Sequence, residues 1–188
     1  MSPDVIEGRA HVYGDNVDTD VIIPARYLTT IDPAELAAHC LEDLDPDFVK
    51  NCNVGDVIVA GRNFGSGSSR EHAPIAIKAS GVSCVVAESF ARIFYRNAIN
   101  VGLPIVECPG IANGVDPGDV VRIDMAGGVV ENVARGRSHA ATPLPSFMKD
   151  ILDAGGLMPW VKRSLDAGGE VSVGVSPDEP VQADWRLD

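Results

Sequence analysis

The chain has 188 residues, which suits one domain or one domain with a tail, and its 45% hydrophobic content is enough to fill a core. With 27 acidic against 15 basic residues it carries a formal charge of −12, which argues against a nucleic-acid or anionic-membrane partner, because either asks for a basic face. The opening MSPDVIEGRAH shows no basic and apolar leader, and no apolar run approaches the ~20 residues of a membrane span, so a cytoplasmic protein is expected.

In chain order, VIEGRAHVY (5–13) reads as a strand and residues 14–32 as a turn-rich loop with a short apolar run, VIIP. A helix follows over 33–44, with proline in its first turn. DVIVAG (56–61) is a buried strand, HAPIAIKAS (72–80) a helix stopped by Gly81, and VSCVVAES (82–89) a strand. A helix over 90–102 also stops at glycine, and LPIVEC (103–108) is a strand. Beyond it, 120–125 and 129–134 read as strands, and 145–156 and 158–169 as helices. Residues 170–188 have little periodicity and read as a tail. The alternation of strand and helix in the middle predicts an α/β core.

The cysteines stand singly at 40, 52, 84 and 108, with no CxxC and no metal-ligand spacing to a histidine. That argues against a structural zinc or a self-contained iron–sulfur site and favours free thiols in a reducing compartment.

The densest chemistry lies in GRNFGSGSSREHAP (61–74), between a predicted strand and a predicted helix. In an open α/β sheet the ligand crevice lies at the carboxyl ends of the strands. Gly65 and Gly67 allow left-handed backbone and close approach to a ligand. Ser68, Ser69 and Arg70 then precede a helix N-terminus, where N–H groups and a guanidinium fork favour an anion such as a carboxylate. The loop is neither a Walker A motif, nor GxGxxG, nor a GxSxG elbow. The plainer reading of the same residues is a tight turn capped by Ser69, with Glu71 and His72 exposed. Arg92 and Arg96, at i and i+4, share one helix face that could line the crevice, though a solvated or ion-paired face is the commoner outcome.

FGSGSSREHAPIAIK (64–78) and ESFARIFYRNAINVGLPIVE (88–107) resemble the small subunit of 3-isopropylmalate dehydratase, the detached swivel domain of the aconitase superfamily. GRAHVYGDNVDTDVIIPARYLTT (8–30) and FMKDILDAGGLMPWVK (147–162) match the same family. The resemblance implies a swivelling β/β/α domain over residues 1–166, with residues 167–188 as an extension of unassigned role. It implies a dehydration and rehydration of a hydroxy-diacid in leucine biosynthesis, the 2- to 3-isopropylmalate conversion. Related dimethylmalate or homoaconitate chemistry, or a non-catalytic small-anion binding module, remain alternatives. By the same resemblance Ser68 is the base that takes the C–H proton, Arg70 the carboxylate clamp, and Ser69, Asp20 and Arg26 substrate contacts. Asp20 also reads as a turn residue of DNVDTD. Leu28 and Thr29, in YLTT, match a specificity reader; homoaconitate-type members tend to carry arginine where this chain has Thr29. The resemblance places a [4Fe–4S] cluster on a separate large subunit, the expected partner in a heterodimer or heterotetramer. No cofactor or metal is expected on this chain. Ser66 stands where many members have cysteine.

Overall fold

A computed structural model describes residues 5–166. Strands β1 (Val5–Val12), β2 (Val57–Ala60), β3 (Cys84–Ala87) and β4 (Ile105–Glu107) run parallel to one another. Strands β5 (Val120–Asp124), β6 (Val129–Asn132) and β7 (Arg137–Ala140) continue the sheet antiparallel from β1. The order across the sheet is β4-β3-β2-β1-β5-β6-β7.

Strands β2 and β3 are buried at every position. A strand covered on both faces needs no polar alternation, which is why VIVA and CVVA are unbroken apolar runs. One face of these strands, through Val57, Val59, Cys84 and Val86, packs with Val121, Ile123 and Val130. The antiparallel half therefore curls back over the parallel half. The other face, through Ile58, Ala60, Val85 and Ala87, packs on residues of helices α4 (His72–Ala79) and α5 (Arg92–Val101). The result is the expected β/β/α layering.

Three local departures have clear causes. The predicted helix over 33–44 is only α2 (Pro33–Ala37), because Leu41 turns left-handed (φ 59°) and donates its N–H to Ile22 O at 2.8 Å. The loop over 14–32 contains α1 (Thr19–Ile22) and a 3₁₀ turn at Ala25–Tyr27, and a further short helix, α3 (Phe48–Asn51), precedes β2. Strand β7 has no apolar alternation to announce it, being mostly exposed. Gly81 ends α4 in the left-handed region (φ 98°), as expected of a helix stop. Helices α6 (Ser146–Asp153) and α7 (Leu157–Asp166) complete the described chain. The predicted extension, 167–188, lies outside the described residues. No described helix is long and apolar enough to cross a membrane.

The parallel strands fix the location of the site. The segments leaving the carboxyl ends of β1, β2 and β3 meet through two isolated bridges, Asp18 with Ser66 and Phe64 with Phe90.

Candidate active site

The serine loop (61–71) is fastened to the DNVDTD segment (15–20) by a ladder of bonds. Asp15 Oδ1 accepts the Arg62 N–H at 2.7 Å, and Gly65 N–H donates to Val17 O at 2.8 Å. Thr19 N–H donates to Ser66 O at 2.8 Å, and Ser68 N–H donates to Thr19 Oγ1 at 3.1 Å. On its other side the loop is wedged by aromatic rings: Phe64 meets Phe94 edge-to-face at 5.3 Å and Phe90 at 6.0 Å. Such contacts add to area burial by ~0.5–1.5 kcal/mol each.

Gly65 and Gly67 are left-handed, with φ of 78° and 95°. A Cβ on Gly65 would lie 2.1 Å from the Phe94 ring, and one on Gly67 would lie 2.5 Å from the Asp18 carboxylate. The sequence suggested glycines that admit a ligand; the close neighbours at these two Cβ positions belong to the protein.

Ser68 and Ser69 are exposed. The Ser68 hydroxyl has one hydroxyl neighbour, Thr19 Oγ1, at 3.3 Å. Thr19 is 1% exposed, and its oxygen already accepts the Ser68 N–H, so its own proton is free to point at Ser68 Oγ. Asn97 Nδ2 of α5 donates to Ser69 O at 3.1 Å, holding the loop next to that helix. Ser69 does not cap α4. The N-cap position is Glu71, with no side-chain hydrogen bond, so the first N–H groups of an eight-residue helix stay open behind the serines.

Arg70 is mostly buried and pairs with Asp20. The two residues expected near the substrate are therefore brought together, with one carboxylate already on the clamp. The turn role considered for Asp20 belongs to Asp18, whose Oδ1 accepts the Asp20 N–H at 2.7 Å and caps α1.

Arg26, expected as a substrate contact, has acidic partners within the chain. Its guanidinium is held by Asp43, at 2.6 and 3.0 Å, and by Glu42, and it sits 4.9 Å over the Tyr27 ring. Asp43 above all raises the Arg26 pKa, so the group stays charged but has carboxylates of its own. Leu28 is half-buried against the helix-side core, while Thr29 is exposed. Sequence reasoning missed Thr19, Asp18 and Asn97. The DTD triplet held a clue to the first two, but the partners lie 28 to 49 residues away.

The thiols do not fit an iron–sulfur cluster on this chain. Cys40 lies in the helix-side core, whereas Cys84 and Cys108 lie in the core on the opposite face of the sheet. Among the described residues no three thiols converge.

A family model for the aconitase C-terminal domain matches residues 50–109. The chain is 62% identical over 161 residues to the 3-isopropylmalate dehydratase small subunit of Caldicellulosiruptor saccharolyticus, covering 86% of this chain and 93% of that one. It is 60% identical over 158 residues to the 2,3-dimethylmalate dehydratase small subunit of Eubacterium barkeri, covering 84% and 97%. The crystal structure of 3-isopropylmalate dehydratase from Methanocaldococcus jannaschii superposes with a TM-score of 0.81 at 48% identity, over 87% of this chain and 98% of that one. With that similarity running almost end to end through its relatives and the serine loop fixed at the carboxyl end of the sheet, the chain belongs to the 3-isopropylmalate dehydratase small-subunit family of hydro-lyases.

Proposed function

We propose that this subunit supplies the proton-handling and carboxylate-binding half of a dehydratase site for alkyl-substituted malates, 2- and 3-isopropylmalate first among them. The observation that carries this reading is the exposed Ser68 hydroxyl, backed by buried Thr19 and flanked by Arg70 and the open start of α4. A serine is a weak base, so its alkoxide needs donors placed in advance. The Thr19 hydroxyl is one, although 3.3 Å is long for a hydroxyl pair and the bond would tighten as charge develops on Ser68. The helix start and Arg70 add positive potential. Ser68 takes the C–H proton next to a substrate carboxylate, the elements of water leave, and re-addition at the neighbouring carbon completes the isomerisation. Arg70 exchanges Asp20 for a substrate carboxylate, and Ser69 offers its hydroxyl. Arg26 acts here only if substrate displaces Asp43 and Glu42.

Ser68 and Ser69 face solvent, and a base works in a water-excluded site. The rest of the enclosure is assigned to an iron–sulfur large subunit, which carries the [4Fe–4S] cluster that these cysteines do not hold. Thr29 gives a third carboxylate no cationic partner, and burying one without it costs several kcal/mol; Leu28 supplies an apolar contact for a small alkyl group. The likeness to a 2,3-dimethylmalate dehydratase subunit makes that diacid the competing substrate. A cytoplasmic location is part of the same reading.

The test is reconstitution with the large subunit and a comparison of kcat/KM for 2-isopropylmalate, 2,3-dimethylmalate and homoaconitate. We expect isopropylmalate to lead and the tricarboxylate to be poorest. A preference for dimethylmalate reassigns the substrate. A preference for homoaconitate removes Leu28 and Thr29 as readers.

A further inference from the structure

No cysteine of this chain stands at metal-ligand spacing from a histidine, yet the fold gathers such a set. His11 of β1, Cys52 at the end of α3 and Asp56 just ahead of β2 place one ligand atom each within 4.8 Å of the others. His11 and Asp56 are nearly buried, with side chains 11% and 8% exposed. Asp56 Oδ2 accepts three hydrogen bonds, from His11 Nε2 at 2.9 Å, Arg9 Nη2 at 3.1 Å and Asn53 N at 3.0 Å. Among the described residues Oδ1 accepts none. The Cys52 thiol makes only long contacts, to Ser80 O at 3.6 Å and Asn53 O at 3.8 Å. A nearly buried carboxylate with an idle oxygen, an imidazole and an uncommitted thiol thus share one small volume.

We infer that His11, Cys52 and Asp56 form a binding site for a divalent cation of the zinc class. Imidazole, thiolate and carboxylate together suit a borderline-soft ion and are a poor set for magnesium or calcium. Ligand atoms around a tetrahedral zinc stand roughly 3.5 Å apart, given bonds of about 2.0–2.3 Å. The site therefore needs to contract by about an ångström at its widest. A cavity of about 510 Å³ lined by His11, Arg9 and Asn51 adjoins the His11 side of the cluster. Arg9 is the resident cation on Asp56 in the metal-free state. Its side chain is 42% exposed, so it swings to solvent when the ion enters. As the metal binds, Cys52 gives up its thiol proton to water, the His11 Nε2 proton passes through water to Nδ1 so that Nε2 is free to coordinate, and nothing is oxidised or reduced. Asp56 precedes β2 and the serine loop follows it, so the ion sits at the opposite end of that strand from Ser68. Its role is a clamp between β1, α3 and β2, separate from the dehydration chemistry.

The test uses the full chain, stripped of metal and titrated with Co²⁺. We expect a thiolate-to-cobalt charge-transfer band that saturates at one equivalent and disappears in Cys52→Ser. Zn²⁺ should raise the Tm of the wild type and not that of Cys52→Ser. No band in the wild type, or a band that survives Cys52→Ser, overturns the site. Should Cys52→Ser fail to fold, alkylation of the native wild type decides, with the modified thiol identified by peptide mass. Zn²⁺ must protect Cys52; equal labelling with and without Zn²⁺ overturns the site.

Discussion

Each end of the parallel strands carries a serine and a basic residue, to opposite effect. At the amino ends, Ser83 Oγ donates to Gly55 O at 2.8 Å, and Lys78 Nζ donates to Val101 O at 2.7 Å and Gly155 O at 3.3 Å. At the carboxyl ends, Ser68 has one long hydroxyl contact, and the pairing of Arg70 is with an exposed aspartate. Ser83 and Lys78 at the first end are satisfied inside the chain, which is the usual condition of polar groups in a folded protein. At the second end they are held in place but left underused. On the function proposed above, a subunit that contributes half of a reaction centre must keep such groups positioned without saturating them.

The sharpest way to break this contrast is a matched pair of serines. In the reconstituted enzyme Ser68→Ala is expected to lower kcat by ~10²–10⁴-fold, with the Tm of the subunit near wild type. Ser83→Ala is expected to lower Tm and leave the kcat of folded enzyme near wild type. Steady-state kinetics beside melting curves reads both, and a Ser68→Ala enzyme that keeps its kcat ends the division of roles.

Next in size is Arg70→Lys. A point charge replaces a fork on a carboxylate, so KM should rise more than kcat falls. Initial-rate measurements over a range of substrate concentrations check it; an unchanged KM takes the clamp away from Arg70.

Gly67→Ala and Gly118→Ala sharpen the contrast through the backbone. Both residues are left-handed, at φ 95° and 90°, but only Gly67 has the Asp18 carboxylate where the new Cβ would go. Gly118→Ala should cost ~1–2 kcal/mol from backbone strain alone, and Gly67→Ala more, with lost activity. Urea midpoints of the two variants give the order.

The smallest effect concerns pH. The Asp15 carboxyl is held below the usual carboxylate range, first by the Arg62 backbone N–H and then by the Arg62 side chain. A lowered value in the folded state contributes stability above the ordinary carboxylate pKa, and that contribution is lost as pH falls through the lowered one. Asp15→Asn should therefore fall short of wild type at pH 7 by more than it does at about pH 3. Urea denaturation at the two pH values measures the difference, and an identical gap at both removes the Arg62 pairing as its cause.

Much of this was legible beforehand. The buried strands at β2 and β3 announce themselves as apolar runs, and the serine loop stands between one such run and a helix. Strand β7 was not legible, since RSHA earns its place only by pairing with β6. The early end of α2 depends on Leu41 reaching Ile22, a contact no local pattern encodes. Within the proposed site, Ser68 and Arg70 stood out because glycine, serine and arginine are unusual before an apolar helix. Thr19 was hidden, because a threonine in an Asx turn looks ordinary until its hydroxyl meets a loop 49 residues away. The pairing of Arg26 was hidden for a similar reason: its partners Glu42 and Asp43 lie in a segment that read as plain helix.

The ladder between residues 15–20 and 61–68 has a consequence for how the chain comes off the ribosome. Its first strand emerges nearly fifty residues ahead of its second, as the 47- and 49-residue separations of its bonds record. Until then Asp15, Asp18 and Asp20 are three like charges on an unsupported stretch, with Arg62 and Arg70 still to be made. Closing a loop of that length costs entropy that grows only as the logarithm of its size, so the delay rather than the distance is the burden. Synthesis must pass Arg70 before the proposed site can assemble, and a nascent chain stalled short of it presents an acidic turn with no counterpart.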